Sequence, residues 1–360
     1  MKVLLLGEFS SLHRYLKEGL RELGNIEVTL LANGDSWKKI PGADGVLFYP
    51  NLKGIFGKYN LYIEPWLNAS KYSNYDVTQL IHPCLFSNII NKSILKKIVS
   101  SNKCISMVAA GEDYALCNAY KNGEFEYYCF DYDKTAYEKY SSNSLSGKLS
   151  IKSCRFLEKT ADIIIPSVYE YFLGYKDNSK CYSVIPFPIN VQSILYRENV
   201  VNNKLIFFHG LNRELAKGTP FIRKALEKLQ QTYPHEVEVI IEGHMPFDKY
   251  LEVMNRANVV IDQCCSYGYG INACIAMAQG KVVMTGKRKE TLDAININDA
   301  PMFHAQPDVE QLFRQMQYIV EHRSSIPQWG YESRKYVENV HDHVKIAQRY
   351  VDAWKSTGKI

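Results

Sequence analysis

The stretch SYGYGINACIAMAQGKVVM, residues 266–284, decides the fold that we predict for this chain of 360 residues. Its glycines Gly268 and Gly270 flank an aromatic residue, and we expect them to permit positive φ angles and a close approach of backbone to ligand. A helix of small residues is predicted over 272–279, Gly280 ends it, and a short apolar strand follows. Such a loop offers a helix N-terminus to an anion, although a tight packing turn could be built from the same residues.

Apolar runs separated by helical patterns continue on both sides of this stretch. The predicted strands are KVLLLG, IEVTLLA, GVLFYP, YDVTQLIH, CISMVAA, ADIIIPS and CYSVIPFPI in the first half, and KLIFFHG, VEVIIEG, NVVIDQ, KVVMTG and PMFHA in the second. Continuous β-branched runs that alternate with helices indicate parallel strands buried on both faces. The predicted fold class is therefore α/β, with two Rossmann-like, doubly wound parallel-sheet domains that face a cleft.

A stretch without strong periodicity marks the predicted boundary between these domains. NVQSILYRENVVNNK follows Pro186 and Pro188 and is rich in asparagine. Apolar residues return at helical spacing in HVKIAQRYVDAWKS near the end of the chain. We predict an amino-terminal domain over 1–189, a linker over 190–203, a carboxyl-terminal domain over 204–340, and a terminal helix over 341–360 that packs back on the body.

Composition excludes several classes of protein. No run of 18 apolar residues is present, so no membrane-spanning helix is expected. The start, MKVLLLGEFSS, is typical of a buried strand and not of a signal peptide. Nine cysteines without metal or disulfide spacing indicate reduced thiols in a cytoplasmic protein. No metal site, cofactor or nucleic-acid partner is expected.

The formal net charge of +5 is modest and has two interpretations. It is either an ordinary solvated surface or an attraction to phosphorylated ligands or an anionic membrane face. The segment NKSILKKIVSSNK, residues 91–103, is likewise either a basic amphipathic helix or a core helix with a wet lysine face.

The loop after KLIFFHG carries the clearest candidate anion site. Asn212, Arg213 and Lys217 precede Gly218, and a helix is predicted to begin near Thr219. A helix N-terminus beside two cations favours a diphosphate, whereas the alternative is a surface loop with ordinary charges.

The first half places polar residues after its strands, where an open α/β sheet binds ligands. GEFSS has one glycine where a dinucleotide fold has G-x-G-x-x-G, which argues against a nicotinamide or flavin oxidoreductase. Glu112 and Asp113 could orient or deprotonate an acceptor hydroxyl, or they could cap a helix. His82 could bind an acceptor or be structural. The candidate acceptor-binding residues are Gly7, Glu8, Ser10, Ser11 and His82.

The order and spacing of these motifs resemble the GT-B fold glycosyltransferases, specifically the family 4 (group 1) type. VIPFPIN resembles the motif IPNGID of that family, and HGLNRELAKGTPFIRKALEKL resembles GRLxxEKGxxxLIxAF. YLEVMNRANVVIDQ resembles YYxxADVFVLPS, and YGYGINACIAMAQGKVVM resembles EGFGLxxxEAMAxGxPVV.

The resemblance implies a nucleoside diphosphate sugar held by the carboxyl-terminal domain and an acceptor held by the other domain. It also implies metal-independent transfer, usually with retention at the anomeric carbon. Lys217 matches the lysine that holds the diphosphate, and Asn212 or Arg213 stands in for an arginine. Expected catalytic residues are Arg213, Lys217, Glu112 and Asp113. Expected donor-binding residues are Asn212, Arg213, Lys217, Gly243, Asp262, Ser266, Tyr267, Gly268, Tyr269, Gly270, Ile271 and Asn272.

Three departures from the family pattern concern recognition of the sugar and ribose. The first glutamate of the family aligns with Tyr267 and the second with Ile275, while its amino-terminal histidine falls near Ala110 and Gly111. Candidate substitutes for the lost acids are Asn272, Ser266 and Asp262.

The sequence therefore predicts a glycosyltransferase that moves a sugar from a nucleoside diphosphate to a hydroxyl, in cell-surface polysaccharide or glycolipid synthesis. A saccharide or lipid-linked saccharide is the expected acceptor, with peripheral membrane contact on the cytoplasmic face. The alternatives are a non-catalytic subunit that binds nucleotide sugars, and a GT-B-like epimerase or phosphorylase.

Overall fold

The computed structural model describes residues 1–33, 40–48, 54–141, 143–243 and 247–360, and the chain divides into two compact units. Unit 1 comprises Met1–Glu124, Thr135–Pro188 and His343–Ile360, and unit 2 comprises Phe125–Lys134 and Ile189–Asp342. This division differs from the predicted boundaries, because a short segment of the first half belongs to unit 2. The predicted linker over 190–203 also lies within unit 2.

Unit 1 is built on a parallel sheet of five strands in the order β2-β1-β3-β4-β5. The strands are β1 (Lys2–Leu6), β2 (Glu27–Leu31), β3 (Val77–Leu80), β4 (Cys104–Ala109) and β5 (Ile163–Pro166). Two predicted strands are wrong. In GVLFYP only Gly45 forms a single bridge, with Leu31, and residues 49 and 50 lie outside the described residues. CYSVIPFPI forms only isolated bridges, of Cys181 with Ile164 and of Ile189 with Asp342, and its two prolines lack the N–H that a ladder needs.

Nine helices of unit 1 surround this sheet in the described ranges. They are α1 (Leu12–Glu22), α2 (Gly54–Tyr62), α3 (Glu64–Leu67), α4 (Asn88–Ser100), α5 (Tyr114–Lys121), α6 (Thr135–Ser141), α7 (Leu145–Thr160), α8 (Tyr169–Tyr175) and the terminal α16 (His343–Lys355). Helix α16 packs against α1, where a Cβ on Gly19 would come within 2.2 Å of the His343 carbonyl oxygen. Glycine at this position therefore permits the close packing of the two helices.

Unit 2 is built on a second parallel sheet in the order β10-β9-β8-β6-β7. Its strands are β6 (Leu205–Leu211), β7 (Val237–Gly243), β8 (Val259–Ile261), β9 (Val282–Thr285) and β10 (Phe303–His304). Its helices are α9 (Glu214–Lys217), α10 (Thr219–Thr232), α11 (Phe247–Arg256), α12 (Ile271–Ala278), α13 (Lys289–Asp293), α14 (Val309–Glu321) and α15 (Ile326–Val340). In the parts of both units that the structure describes, every helix is too short or too polar to cross a bilayer.

Each unit contains a fully buried histidine that ties a strand-end loop to the sheet. In unit 1, His13 Nδ1 lies 2.8 Å from the Gly7 carbonyl oxygen, and the Gln79 amide lies 3.2 Å from His13 Nε2. In unit 2, His209 Nδ1 lies 2.8 Å from the Ile261 carbonyl oxygen, and Nε2 lies 2.8 Å from Thr219 Oγ1. Burial lowers the pKa of both imidazoles to about 4, so both are neutral near pH 7.

The lowered pKa values of these two histidines predict that the folded protein loses stability in acid. The unfolded state binds protons at the ordinary histidine pKa near 6.5, whereas the folded state binds them only near pH 4. The contribution of the neutral histidines to the free energy of unfolding is complete above about pH 6.5. It falls between pH 6.5 and 4, by about 3 kcal/mol for each histidine. Urea unfolding at several pH values measures it. His13→Gln should have a shallower dependence on pH than the wild type, and an unchanged slope would contradict this assignment.

Candidate functional site

Two loops of unit 2 leave neighbouring strands at the carboxyl edge of the sheet. After β6, Arg213 adopts a left-handed conformation with φ 54°, and one helical turn brings the chain to Lys217. Gly218, with φ +78°, then turns the chain into α10. A positive φ at this position favours glycine, and Pro220 supplies the fixed φ that suits a first helical turn.

The second loop follows β8 and is joined to the first by backbone and thiol contacts. The Cys264 amide donates to the Lys217 carbonyl oxygen at 3.0 Å. A Cβ on Gly218 would lie 2.3 Å from Cys264 Sγ and 2.7 Å from Cys265 Sγ, so no larger residue fits there. The adjacent cysteines therefore serve as packing residues against the turn, and they are buried and free.

A buried ion pair lies beneath both loops. Lys217 Nζ is 2.8 Å from Asp262 Oδ1, and only 12% and 2% of these side chains are exposed. The other oxygen, Asp262 Oδ2, would be the nearest atom to a Cβ on Gly270, at 3.4 Å. The carboxylate therefore orients the ammonium group between the two loops, where an anion would meet it.

Gly270 does not need to be glycine for its backbone conformation. Its φ is −103° and its ψ 177°, so the expectation of a positive φ at this residue is wrong. The extended conformation lets Gly270 act as the N-cap of α12, whose first residue is Ile271. The N-caps of α10 and α12 are Gly218 and Gly270, which have no side chain to cap the helix. The first turn of α12 presents backbone N–H groups at this edge of the sheet, whereas in α10 Pro220 has no N–H and the Phe221 amide donates to the Gly218 carbonyl oxygen at 3.0 Å.

Tyr267, at the position where a glutamate was expected from the family, is held by the segment Phe125–Lys134. The Glu126 amide donates to Tyr267 Oη at 2.5 Å, and the rings of Phe125 and Tyr127 lie 5.8 and 5.2 Å from its ring. The Arg288 guanidinium lies 4.3 Å from the centre of the Tyr267 ring and pairs with the Glu126 carboxylate at 2.5 Å. These contacts explain why the segment belongs to unit 2.

Other expected donor-binding residues have different surroundings. Tyr269 is buried, and its hydroxyl lies 2.7 Å from Tyr336 Oη and 3.0 Å from His341 Nε2. Ile275 is buried in α12, so an apolar side chain is packed at the position of the second acid. A Cβ on Gly243 would come within 2.0 Å of the Leu211 carbonyl oxygen, which gives this glycine a packing role between β6 and β7. Ser266, Ile271 and Asn272 lie on the loop and at the start of α12.

Unit 1 brings its candidate acceptor residues to the carboxyl edge of its own sheet. Gly7 has φ +84°, and a Cβ there would lie 2.6 Å from Ile81 Cγ2. Ser10 and Ser11 follow with φ 52° and 76°, a strained turn that leads into α1. Glu8 is buried, and its Oε2 accepts from the Arg14 amide at 2.8 Å, so this carboxylate holds the first turn of α1.

The loop after β4 meets this turn through His82. A Cβ on Gly111 would lie 3.1 Å from the Phe9 ring and 3.4 Å from His82. His82 Nδ1 accepts from the Cys84 amide at 3.0 Å, and Nε2 lies 3.3 Å from the Glu112 carbonyl oxygen. The three loops after β1, β3 and β4 therefore converge.

Asp113 acts as a helix cap, which was one of its two predicted roles. Its Oδ1 accepts from the Leu116 amide at 3.0 Å, and its Oδ2 accepts from the Tyr175 hydroxyl. Burial raises the pKa of this carboxyl group, although the hydrogen bonds oppose the shift. Glu112 is half-buried and remains the candidate for contact with an acceptor.

The sequence analysis missed Arg288 and the segment Phe125–Lys134. Nothing in their local pattern points to the loop after β8, because 141 residues separate Glu126 from Tyr267 along the chain. The aromatic density of FEYYCFDY was the one available signal. Within the residues that the structure describes, no group of three His, Cys, Asp or Glu side chains is arranged to hold a metal ion.

We expect a methyl group to lower stability at Gly218 but not at Gly270. Gly218→Ala should lower the melting temperature by several degrees, because the positive φ and the two sulfur atoms both oppose a Cβ. Gly270→Ala is the matched control and should leave the melting temperature within about one degree, since its φ is ordinary and its nearest contact is 3.4 Å. Equal melting temperatures for the two variants would contradict the described turn.

Comparison with known proteins shows the fold. No protein-family model and no curated protein matches the chain. Anabaena Alr3699/HepE in complex with UDP-glucose aligns with a TM-score of 0.63 and 12% identity, covering 99% of this chain and 100% of that chain. Sucrose-phosphate synthase from Thermosynechococcus elongatus aligns with a TM-score of 0.63 and 14% identity, covering 99% of both. UDP-GlcNAc 2-epimerase from Neisseria meningitidis, bound to UDP-GlcNAc, aligns with a TM-score of 0.55 and 10% identity, covering 99% and 100%.

Identities this low establish the fold alone, so the resemblance to family 4 stays a prediction. The chain has the α/β architecture of these structures, with one doubly wound, parallel five-stranded sheet in each of its two units: the fold called GT-B.

Proposed function

We propose that this protein is a glycosyltransferase whose unit 2 binds a nucleoside diphosphate sugar. The observation that carries the proposal is the pairing of Lys217 with the buried carboxylate of Asp262, which lies beside Gly270 at the N-terminus of α12. Structures of the same fold were solved with UDP-glucose and with UDP-GlcNAc. A diphosphate is the ligand whose charge and length suit one ammonium group between two helix ends.

In this proposal the diphosphate is the leaving group, and its developing charge is the quantity that the site stabilises. The Lys217 ammonium and the first N–H groups of α12 are fixed before the reaction, so they need no reorganisation as the bond between sugar and phosphate breaks. Arg213 begins the one-turn helix that ends at Lys217, and we assign it a supporting contact with the phosphates. No step requires a metal ion, so activity should persist in a chelator.

Recognition of the sugar must differ from the family pattern, because Tyr267 and Ile275 carry no acid. Asp262, Ser266 and Asn272 are the polar residues that we propose for contacts with sugar and ribose hydroxyls. We assign acceptor binding to the converging loops of unit 1, with Glu112 near the acceptor hydroxyl. Retention at the anomeric carbon, a saccharide or lipid-linked acceptor, and a place in cell-surface polysaccharide or glycolipid synthesis follow from the resemblance to family 4.

The likeness to a UDP-GlcNAc 2-epimerase supports a second candidate, an epimerase of nucleotide sugars. Incubation with UDP-glucose and with UDP-GlcNAc, followed by proton NMR, separates the possibilities. In the absence of acceptor, a transferase slowly hydrolyses its donor to UDP and a free sugar of unchanged C2 configuration. A 2-epimerase instead produces the anomeric signal of the C2 epimer, on UDP or on the released sugar. Intact donor after prolonged incubation, together with a thermal shift on binding, would indicate the non-catalytic binding subunit.

Lys217 should dominate the affinity for the nucleotide. Lys217→Met should weaken UDP binding by about 1.5–3 kcal/mol, the range for a hydrogen bond to a charged group, in isothermal titration calorimetry. Lys228→Met is the matched control, because it makes the same substitution in unit 2 at an exposed lysine of α10 that pairs with Glu310 at 2.7 Å. It should retain UDP affinity within about tenfold, or 1.4 kcal/mol. Unchanged affinity of a folded Lys217→Met protein would remove this residue from the site.

Substitutions of the two acidic residues after β4 should have different effects: Asp113 should matter for stability and Glu112 for turnover. Asp113→Ala should lower the free energy of unfolding by about 0.5–2 kcal/mol, the cost of losing an N-cap. Glu112→Gln should leave the melting temperature unchanged and lower turnover by about 10²–10⁴-fold, the range for general base catalysis. Full activity of Glu112→Gln with the natural acceptor would exclude Glu112 as the base.

A further inference from the structure

Unit 1 brings two free cysteines together beside the loop that follows β3. Cys84 lies in this loop, and Cys154 lies in α7, 70 residues further along the chain. Their Sγ atoms are 3.9 Å apart, and neither cysteine is part of a disulfide bond. The proposed function does not use these two residues, which are called the thiol pair below.

The side chain of Asn91 fixes the loop on both sides of Cys84. Its Nδ2 donates to the Pro83 carbonyl oxygen at 2.8 Å, and its Oδ1 accepts from the Leu85 and Phe86 amides at 3.2 and 2.9 Å. Asn91 is fully buried in α4, so these hydrogen bonds are shielded from water. The backbone around Cys84 is therefore held at a defined position.

Hydrogen bonds also hold α7 against this part of the chain. Asn88 Nδ2 donates to Ser146 Oγ at 2.7 Å, and Ser150 Oγ donates to Asn88 Oδ1 at 3.1 Å. Cys84 Sγ lies 3.8 Å from the Ser150 carbonyl oxygen, one helical turn before Cys154. Because these contacts fix the loop beside the helix, an approach of about 2 Å between the two sulfur atoms would reach the length of a disulfide bond.

The two thiols have unequal surroundings. Cys84 is half-buried, whereas only 4% of Cys154 is exposed. The hydrogen bond with Cys154 holds the pKa of the Cys84 thiol below its usual value, although burial opposes this shift. Electrostatic interactions with His82 and Lys139 lower the same pKa further. The pKa of the Cys154 thiol is raised by its hydrogen bond with Cys84 and by burial. Cys84 is therefore the more accessible thiol and the stronger nucleophile.

His82 does not complete the thiol pair to a metal site. Its Nδ1 accepts from the Cys84 amide at 3.0 Å, and its Nε2 lies 3.3 Å from the Glu112 carbonyl oxygen. Both ring nitrogens are therefore engaged with the backbone, whereas zinc sites in proteins have at least three protein ligands. Two thiols in contact, one of them activated, can instead react by oxidation.

We propose that the thiol pair is an oxidation site that reacts with hydroperoxides and forms a reversible disulfide bond. First, the Cys84 thiolate attacks an oxygen of the hydroperoxide, the O–O bond breaks, and Cys84 becomes a sulfenic acid. The departing alkoxide or hydroxide takes up the proton that the Cys84 thiol released. Next, the Cys154 sulfur attacks the Cys84 sulfur, and the S–S bond forms as the S–O bond breaks. The departing hydroxide and the Cys154 proton form water, so two thiols lose two electrons and the hydroperoxide gains them.

The thiol pair lies beside one of the candidate acceptor-binding residues. The Cys84 amide donates to His82 Nδ1, so a disulfide bond to α7 would restrain the same loop that carries this histidine. The oxidation itself needs only the two thiols and a hydroperoxide. The inference therefore concerns unit 1 alone and does not rest on the proposed function.

Thiol counting and peptide mapping of the full chain test the proposal. The reduced protein is treated with hydrogen peroxide, catalase removes the excess, and the remaining thiols are counted in denaturant with a chromogenic disulfide reagent. The protein should lose two of its nine thiols, and dithiothreitol should restore both. Mass spectrometry of the alkylated and digested protein should find the peptides of Cys84 and Cys154 joined by a disulfide bond.

Variants separate the roles of the two cysteines. Cys84→Ser should lower the rate of thiol loss by about tenfold or more, because it removes the attacking thiolate. Cys154→Ala should leave a sulfenic acid at Cys84, which dimedone traps as an adduct. Cys181→Ser is the matched control, since Cys181 is also half-buried and burial raises the pKa of its thiol to about 12. This control should form the disulfide bond at the wild-type rate. Circular dichroism and the melting temperature verify that each variant is folded.

Three results would overturn the proposal. One is a wild-type protein that keeps all nine thiols in peroxide. Another is a disulfide bond at different cysteines, such as the adjacent Cys264 and Cys265, or between two copies of the chain. The third is loss of thiols from Cys84→Ser as fast as from the wild type. The mapping of the wild type needs no variant, so it decides the question even if Cys154→Ala does not fold.

Discussion

The buried ion pair between Lys217 and Asp262 is the interaction on which the candidate site depends. A carboxylate that is almost fully buried at the end of β8 is stable only when a cation compensates its charge. That requirement brings the loop after β6 to the loop after β8, and the Cys264 amide and the thiols around Gly218 complete the junction. The N-termini of α10 and α12 follow directly from these two loops, so one electrostatic requirement orients a lysine and two helix ends together.

The two loop glycines illustrate how differently one residue type is used within one site. The folded chain requires glycine at position 218, because φ is +78° and two sulfur atoms fill the space where a Cβ would lie. Gly270 has an ordinary φ and one neighbour at van der Waals distance, so the protein atoms around it would accept a methyl group. A requirement for glycine at Gly270 would therefore come from a ligand and not from the backbone. Within one site, glycine is therefore needed for folding at Gly218, whereas any need for it at Gly270 would come from binding.

Tyr267, which stands where the resemblance to family 4 predicted an acid, packs against a second chain segment. Tyrosine brings a large ring and a hydroxyl, and Phe125, Tyr127 and Arg288 surround that ring while the Glu126 amide binds the hydroxyl. The neighbouring loop residue, Tyr269, is tied to Tyr336 and His341 at the end of unit 2. The loop is therefore fastened on both sides by aromatic contacts, and a carboxylate in place of Tyr267 would lack the partners that the tyrosine has.

Local pattern was sufficient for the strands, most helices and the order of the loops, because buried parallel strands require continuous β-branched runs and helices require apolar residues at every third or fourth position. It failed at GVLFYP and CYSVIPFPI, which meet the edge strands β2 and β5 only through isolated bridges, of Gly45 with Leu31 and of Cys181 with Ile164. By itself the sequence determined the two α/β halves, the turn at Gly218 and the candidate lysine. Only the tertiary structure decided that Asp262 pairs with that lysine and that Phe125–Lys134 packs on Tyr267. Each of these contacts joins residues whose separation along the chain carries no periodic signal, and the contact exists only because the sheet brings distant loops to one edge.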